Sequence, residues 1–554
     1  MILNFLKKQN LLILLILVSL LPLLSLLQPG LPITHDGQDH VARIANFYTS
    51  LTEGNLVPRW AGNLNWGYGH PILMFLYPLS SYSASFFHLL GFSLVDSVKL
   101  VFAGAFILSG VFMYMWIRDF LGEKAGFVAA ILYMFAPYRF IDLYVRGAIG
   151  EHMAFVFVPL ICFLLLKISK TKKFNSLYFV FSTLSFTGLI LSHNALLIMF
   201  LPFILFYAAY LVFESKIRST LILQFAGVFI LGFGVSAFFI VPAFLEGKYT
   251  LRDIVTKGVA LGRFVALKDL IYSPWNFGQT GQFSTQVGLA GWFSAILSPI
   301  ILFRLRKKNK SLFLFFGFVL IFFLLSIFIM LPVSSFLWQG FSTLQKFQFP
   351  WRFLSVSIFC TAILSGFIVY SLQNKKLQTV TLVLAVFLGV FLTKDFWYPK
   401  GYLIKSETFY TQVYDGTTDT GESAPIWSVR FMEKRPKAEV EVIAGAAQIK
   451  KISRNSTIHK YEIESKGQSR IRENTLYFPG WKVYLDKQEL NDIQFQDSTN
   501  RGLITFYVPD GKHIISLVFE NTKLRLISNL ITAGSIVALC VILIFYFIKP
   551  ARNK

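Results

Sequence analysis

The sequence predicts a multi-pass α-helical membrane protein of about 12 spans, with a C-terminal extracytoplasmic β-sandwich domain placed before the last span. Three observations lead there. Of 554 residues, 55% are hydrophobic and 15% charged, whereas a soluble domain is about 25% charged. Apolar runs near the length of a bilayer-crossing helix, about 20 residues, recur along most of the chain. One long block, 395–523, breaks that pattern and is polar. This composition excludes a soluble enzyme, a disordered chain and a disulfide scaffold. Cys162, Cys360 and Cys540 all lie in apolar runs.

The clear runs are 11–28, 98–117, 153–167, 176–191, 195–213, 220–244, 287–303, 311–331, 352–371, 378–394 and 525–547. Two are weaker. The stretch 71–90 carries Pro71, Pro78, four serines and His88, and 125–137 is apolar but short. The formal charge of +23 collects at Lys7-Lys8, Lys167 to Lys173, Lys216-Arg218, Arg304 to Lys310, Lys375-Lys376 and Lys549 to Lys554. Short basic loops stay cytoplasmic, so this excess speaks for topology and not for nucleic acid. An even number of spans must separate these clusters. Only one of 71–90 and 125–137 then crosses. The uninterrupted 125–137 is expected to cross and 71–90 to lie in the outer interface. Both termini become cytoplasmic, the first span reads as an uncleaved anchor, and 30–70, 138–152, 245–286, 332–351 and 395–523 face outside. The expected division is a transmembrane domain over 1–394, a β-domain over 395–523, and a last helix with a basic tail over 524–554.

The strand assignment rests on period-2 alternation in 438-AEVEVI, 458-IHKYEIES and 512-KHIISLVFEN. A block of about 125 residues can bury its own core.

Polar residues collect on the outer side. The first loop begins 33-ITHDGQDHVARIANFYTSLTEG. Val41, Ile44, Ala45, Tyr48 and Leu51 recur at helical spacing, which predicts an amphipathic helix in the interface plane ending near Gly54. Asp36 or Asp39 stands at its N-cap. A cap needs one acceptor, and this one offers two acids flanked by His35 and His40. The second loop, 137-PYRFIDLYVRGAIGEHMAF, carries Arg139, Asp142, Arg146, Glu151 and His152. Glu151 can also be read as a carboxylate complementing a helix dipole. The third loop holds Arg252, Lys257, Arg263 and Lys268 before 272-YSPWNFGQTGQF, and Arg352 lies in 345-QKFQFPWRF. The third-loop cations read either as a solvated surface or as a phosphate clamp, and Arg352 either as part of such a clamp or as a snorkelling anchor. His193, in 192-SHN, reads as an interhelix contact. No assigned span carries a strong charge at its middle, which argues against an ion-coupled transporter. No P-loop, dinucleotide fingerprint, zinc helix or nucleophile elbow is present.

The acid after the first span, the interfacial helix, and the stretches GNLVPRW and GYGHPILMFLYP resemble the GT-C superfamily of membrane glycosyltransferases. HDGQDH, PRW, FAPYR, RGAIGEH and FPWR are similar to a prokaryotic membrane family labelled "6-pyruvoyl-tetrahydropterin synthase-related". The label itself implies no pterin chemistry. YFPGW at 477–481 resembles β-domains of related multi-spanning proteins. The likeness implies a GT-C-like fold and inverting transfer from a polyprenyl-phosphate-sugar donor on the outer face of the membrane. The family's first-loop acid falls on Asp36, with Asp39 as the other candidate, and its second-loop acid falls on Glu151. The Asp-x-Asp of some members' second loop is missing.

The sequence therefore leads to an external glycosyltransferase site in the cytoplasmic membrane of a prokaryote. Asp36 or Asp39 would be the catalytic base. His35, His40, Arg146, Arg252, Lys257, Arg263, Lys268 and Arg352 would bind substrate. Glu151 and His152 would hold a divalent metal, Mg or Mn, if one is used. The partners are a lipid-linked sugar donor, a glycan, lipid or protein acceptor, and membrane lipids. The alternatives are a lipid-linked glycan flippase and a non-catalytic assembly protein.

Overall fold

The computed structural model describes residues 10–278 and 282–548. Lys7-Lys8, the basic tail from Lys549, and residues 279–281 of the third loop lie outside the described residues. Among the described residues, nine helices are long and apolar enough to cross a bilayer. A tenth is counted if Glu123–Met134 and Pro137–Arg146, bent by 49°, form one span. Pro137 lacks the N–H that a continuous helix needs there. Ser176–Ser192 and Leu289–Leu305 are apolar but only 17 residues long.

The run 220–244, expected as a single span, is two helices, Arg218–Val235 and Ala237–Leu245. At the junction the Ser236 hydroxyl donates to the Gly232 carbonyl at 2.8 Å. That competes with the regular ladder, and Gly232 and Gly234 weaken the turn before it. Ile149–Lys170 and Pro350–Ser371 form the centre of the bundle, with 89% and 83% of their most apolar stretches buried. Lys523–Phe547 is only 11% buried and lies at the rim.

Between the first two long helices the chain forms only shorter elements. The amphipathic helix Gly37–Thr52 is followed by a 3-10 turn at Pro71–Met74 and the helix Leu79–Leu89. The last has 11 residues, or about 17 Å at 1.5 Å each, too short for a hydrocarbon core of about 30 Å.

The C-terminal block corrects one expectation. It is one antiparallel six-stranded sheet, not a sandwich of two. The long strand Ile458–Leu476 is central. Val440–Arg454 pairs along one side; Gly511–Phe519 and Leu503–Val508 follow each other along the other. Its apolar face, with Tyr461, Ile463, Ile471, Phe506 and Leu517, shares a core with Trp60 and Met74. The loop between the first two long helices takes the place of a second sheet, and Trp60 meets Trp481 edge-on at 5.4 Å.

Residues 395–439 add no strand to this sheet; their short strand Tyr402–Leu403 pairs with Leu31–Pro32 instead. The segment after it returns over the first loop. Tyr414 N–H donates to the Asn63 carbonyl at 2.9 Å and Asn65 N–H to the Gly416 carbonyl at 2.8 Å.

Candidate active site

Asp36 occupies the N-cap position of Gly37–Thr52, but its side chain makes no capping hydrogen bond. The capping role that would explain an acid here is unfilled. Backbone bonds fix its place instead. His35 N–H donates to the Val145 carbonyl and Asp36 N–H to the Arg146 carbonyl, each at 2.9 Å. Gly147 makes this close approach possible. It has φ +68°, and a Cβ there would stand 2.3 Å from the Thr34 hydroxyl. Residues about 110 positions apart are thus sewn together at one point.

Asp36 keeps contact with solvent, but enough protein packs around its carboxyl to desolvate it. Burial pushes its carboxyl above the ordinary 3.8, and the opposing pull of Arg146, His35, Arg43 and Arg352 does not cancel that. No hydrogen bond or ion pair holds this carboxylate among the described residues. Asp39 differs. Its Oδ1 accepts the Tyr414 hydroxyl at 2.9 Å, so it is engaged in holding the returning segment. Burial raises the Asp39 carboxyl too, against the lowering effect of that bond. His40 is buried beside Arg43 and held well below its usual range by desolvation first and Arg43 second. Neutral, it accepts from Arg43 Nη1 at 3.1 Å. Arg43 also donates to the hydroxyl and carbonyl of Thr418.

Behind Asp36 lies a buried ion cluster. Glu151 Oε1 accepts from Arg146 Nη2 at 2.7 Å and from Arg352 Nε at 3.0 Å, and Oε2 accepts from the Tyr138 hydroxyl at 2.9 Å. Arg146 Nη1 donates to Asp142 Oδ1 at 2.5 Å. His193 caps the next helix through Leu196 N–H, with its Nε2 3.9 Å from Glu151. Glu151 therefore has no oxygen to spare. His152 faces the other way, among the rings of Phe102, Phe106 and Phe155. The expected metal pair is not formed: one residue along a helix turns the side chain by about 100°. Among the described residues no group of three or more His, Cys, Asp or Glu could hold an ion.

In front of the cluster is a cavity of about 720 Å³, lined by His35, Arg263, Asp269, Phe283 and Trp351, among others. Its wall is a chain of rings. Phe283 meets Trp351 edge-on at 4.9 Å, and Trp351 stacks on Phe349 at 4.9 Å. Arg146 lies over Trp351 at 4.5 Å; Arg263 and Arg352 both lie over Phe349, at 5.5 and 5.0 Å. Guanidinium groups pack well on aromatic faces. Burial is the main reason that His35, at the cavity edge, is held below its ordinary 6.5 and is neutral at pH 7.

Of the expected site residues, His35, Asp36, Asp39, His40, Glu151, Arg146, Arg263 and Arg352 therefore converge. Arg252 does not line this cavity. It packs against Gly247 and pairs with Asp253 at 3.6 Å. Lys257 and Lys268 are exposed on the third loop and also stand apart from it. The expectations missed Tyr138 and Trp351, which sit inside FAPYR and FPWR and were within reach. They also missed Tyr414 and Thr418, for which the sequence carries no local signal.

The profile of the family described as "6-pyruvoyl-tetrahydropterin synthase related domain; membrane protein" matches residues 73–402, more than half of the chain. The chain belongs to this family. It is 26% identical over 219 residues to an uncharacterized protein of Lactococcus lactis subsp. cremoris, covering 38% of this chain and 35% of that one. Among solved structures it is similar to the arabinofuranosyltransferase AftD from Mycobacteria, with 14% identity and TM-score 0.46, over 72% of this chain and 29% of that one. It is also similar to ArnT from Cupriavidus metallidurans, solved with undecaprenyl phosphate, with 13% identity and TM-score 0.41, over 73% and 68%. The chain thus spans about a third of the Lactococcus relative and of AftD.

Proposed function

We propose that this protein is an inverting, GT-C-type glycosyltransferase of a prokaryotic cytoplasmic membrane, using a polyprenyl-phosphate-linked sugar donor. The observation that carries this reading is the unengaged, upward-shifted carboxylate of Asp36, next in sequence to His35 in a cavity that Arg263 also lines. Asp39, Asp142 and Glu151 are all committed to protein partners. Asp36 takes the proton from an acceptor hydroxyl as its oxygen forms a bond to the anomeric carbon. The bond from that carbon to the donor phosphate oxygen breaks, and the lipid phosphate leaves with the electron pair. Arg263 and Arg352 offset the charge growing on that phosphate. No step is routed through a metal at Glu151 and His152, whose side chains do not meet.

A narrow cleft of about 110 Å³, with Leu132, Phe135, Leu289 and Leu392 in its wall, lies between helices of the bundle and suits part of an isoprenoid chain. If the bent pair and both 17-residue helices cross, there are 12 spans, both termini are cytoplasmic, and site and sheet lie outside. The deciding experiment compares lipid-linked glycans in a deletion strain, the strain restored with wild type, and one restored with Asp36→Asn. Accumulated donor in the first and last, cleared by wild type, is expected. Normal glycans with Asp36→Asn would end the enzyme reading.

A further inference from the structure

A second large groove, about 730 Å³, lies at the far end of Gly37–Thr52, between Ala237–Leu245 and the last helix. Cavities of this size hold lipid-sized or drug-sized ligands. Its lining changes along its length. Asn521 and Asn529 lie at the end where the sheet joins the last helix, and Ile536 lies seven positions further on, about 10 Å deeper at 1.5 Å per residue. Leu191, Phe238 and Ala533 are among its other apolar lining residues. The gradient from amide to hydrocarbon matches that of a lipid from headgroup to tail.

The polar end holds Arg59, only 7% exposed. Its partners are all neutral: Asn521 Oδ1 at 2.6 Å, Asn529 Oδ1 at 2.9 Å and the Phe238 carbonyl at 3.0 Å. That carbonyl is free because Pro242, four positions on, has no N–H to donate. The neighbouring buried Arg525 has a carboxylate, Glu246, at 2.8 Å. Glu246 spends its other oxygen on Thr522. Among the described residues no carboxylate pairs with Arg59. Buried cations are normally paired, so the groove lacks one negative charge at its polar end.

We infer that this groove binds one anionic membrane phospholipid, its phosphate at Arg59 and an acyl chain along Phe238, Leu191 and Ile536. The lipid wedges between the bundle and the last helix, which is otherwise the least buried. The inference is independent of the transferase reading, since Asp36 is at the opposite end of a 16-residue helix.

The test uses the full chain in nanodiscs of phosphatidylcholine alone or mixed with phosphatidylglycerol, then transferred to detergent, washed and weighed by native mass spectrometry. Wild type is expected to keep one phosphatidylglycerol per chain and no phosphatidylcholine. Arg59→Gln removes the charge, and Ala533→Trp fills the groove while leaving Arg59 and its three acceptors in place. Each is expected to lower retention by about tenfold, the worth of one charged hydrogen bond. If Arg59→Gln does not fold, Ala533→Trp decides. Inorganic phosphate is expected not to displace the lipid. Unchanged retention in Ala533→Trp, equal retention of phosphatidylcholine, or displacement by inorganic phosphate would each overturn the inference.

Discussion

Asp36 N–H donates to the Arg146 carbonyl at 2.9 Å, while the Arg146 guanidinium reaches in the opposite direction to Glu151 at 2.7 Å. One residue of the second loop thus positions the free acid through its backbone and secures the buried acid through its side chain. The two carboxylates that a sequence reader would pair as equals have different jobs. Asp36 is held open by its surroundings, and Glu151 is closed by them.

Asp36→Asn should fall at least about 100-fold in turnover, the scale expected for a general base. It should also be more heat-stable than wild type at pH 7. Burial raises the Asp36 carboxyl in the folded state, so the folded chain binds more protons than the unfolded one above the ordinary 3.8. Wild-type stability is then lost as pH rises from there through the folded value. Melting curves of the two proteins should converge as the pH falls to that range. A less stable Asp36→Asn at pH 7 would contradict this.

Asp39→Ala and Tyr414→Phe should resemble each other, since each removes one end of the same 2.9 Å bond. A single hydrogen bond is worth about 1 kcal/mol, so both should keep turnover within about tenfold of wild type. The double variant should be no worse than either alone. Additive losses would give Asp39 a role beyond holding Tyr414.

Glu151→Gln leaves Arg146 and Arg352 buried without their shared carboxylate. Breaking such a pair costs about 3–5 kcal/mol. The variant should unfold at a visibly lower temperature, and excess Mg²⁺ or Mn²⁺ should restore neither stability nor activity. Rescue by either ion would reinstate the metal reading.

Arg263→Glu should raise KM for a phosphate-linked donor by about 10- to 150-fold, the equivalent of about 1.5–3 kcal/mol for a charged hydrogen bond. Lys257→Glu and Lys268→Glu, away from the cavity, should change it little. An equal effect at all three positions would point to general attraction by the loop.

The topology is open to thiol labelling in a background lacking Cys162, Cys360 and Cys540. Cysteines replacing the exposed Lys257 and Lys466 should react with an impermeant reagent on intact cells, and those replacing the exposed Lys308 and Lys376 should not. The reverse pattern would turn the molecule over.

Much of this site was legible because its parts are local. HDGQDH follows an apolar run and opens a 3.6-periodic one, so an acid at a helix start near the interface could be read directly. The convergence of Arg146, Glu151 and Arg352 was suggested by loop sidedness. Tyr414 and Thr418 were not legible. They lie 375 positions from their partners Asp39 and Arg43, in a polar segment with the composition of a linker. The single sheet was misread for a related reason. Alternation shows that one face of a strand is buried but not what buries it, and here Trp60 and Met74 do so.

The helix Gly37–Thr52 is braced at both ends. At one end stands Asp36; at the other Glu53 accepts from the backbone and hydroxyl of Ser456, in the turn between the two longest strands. A straight helix of 16 residues, about 24 Å long, has no slack along its axis. It forms a strut between the Ser456 turn of the sheet and the backbone at Asp36.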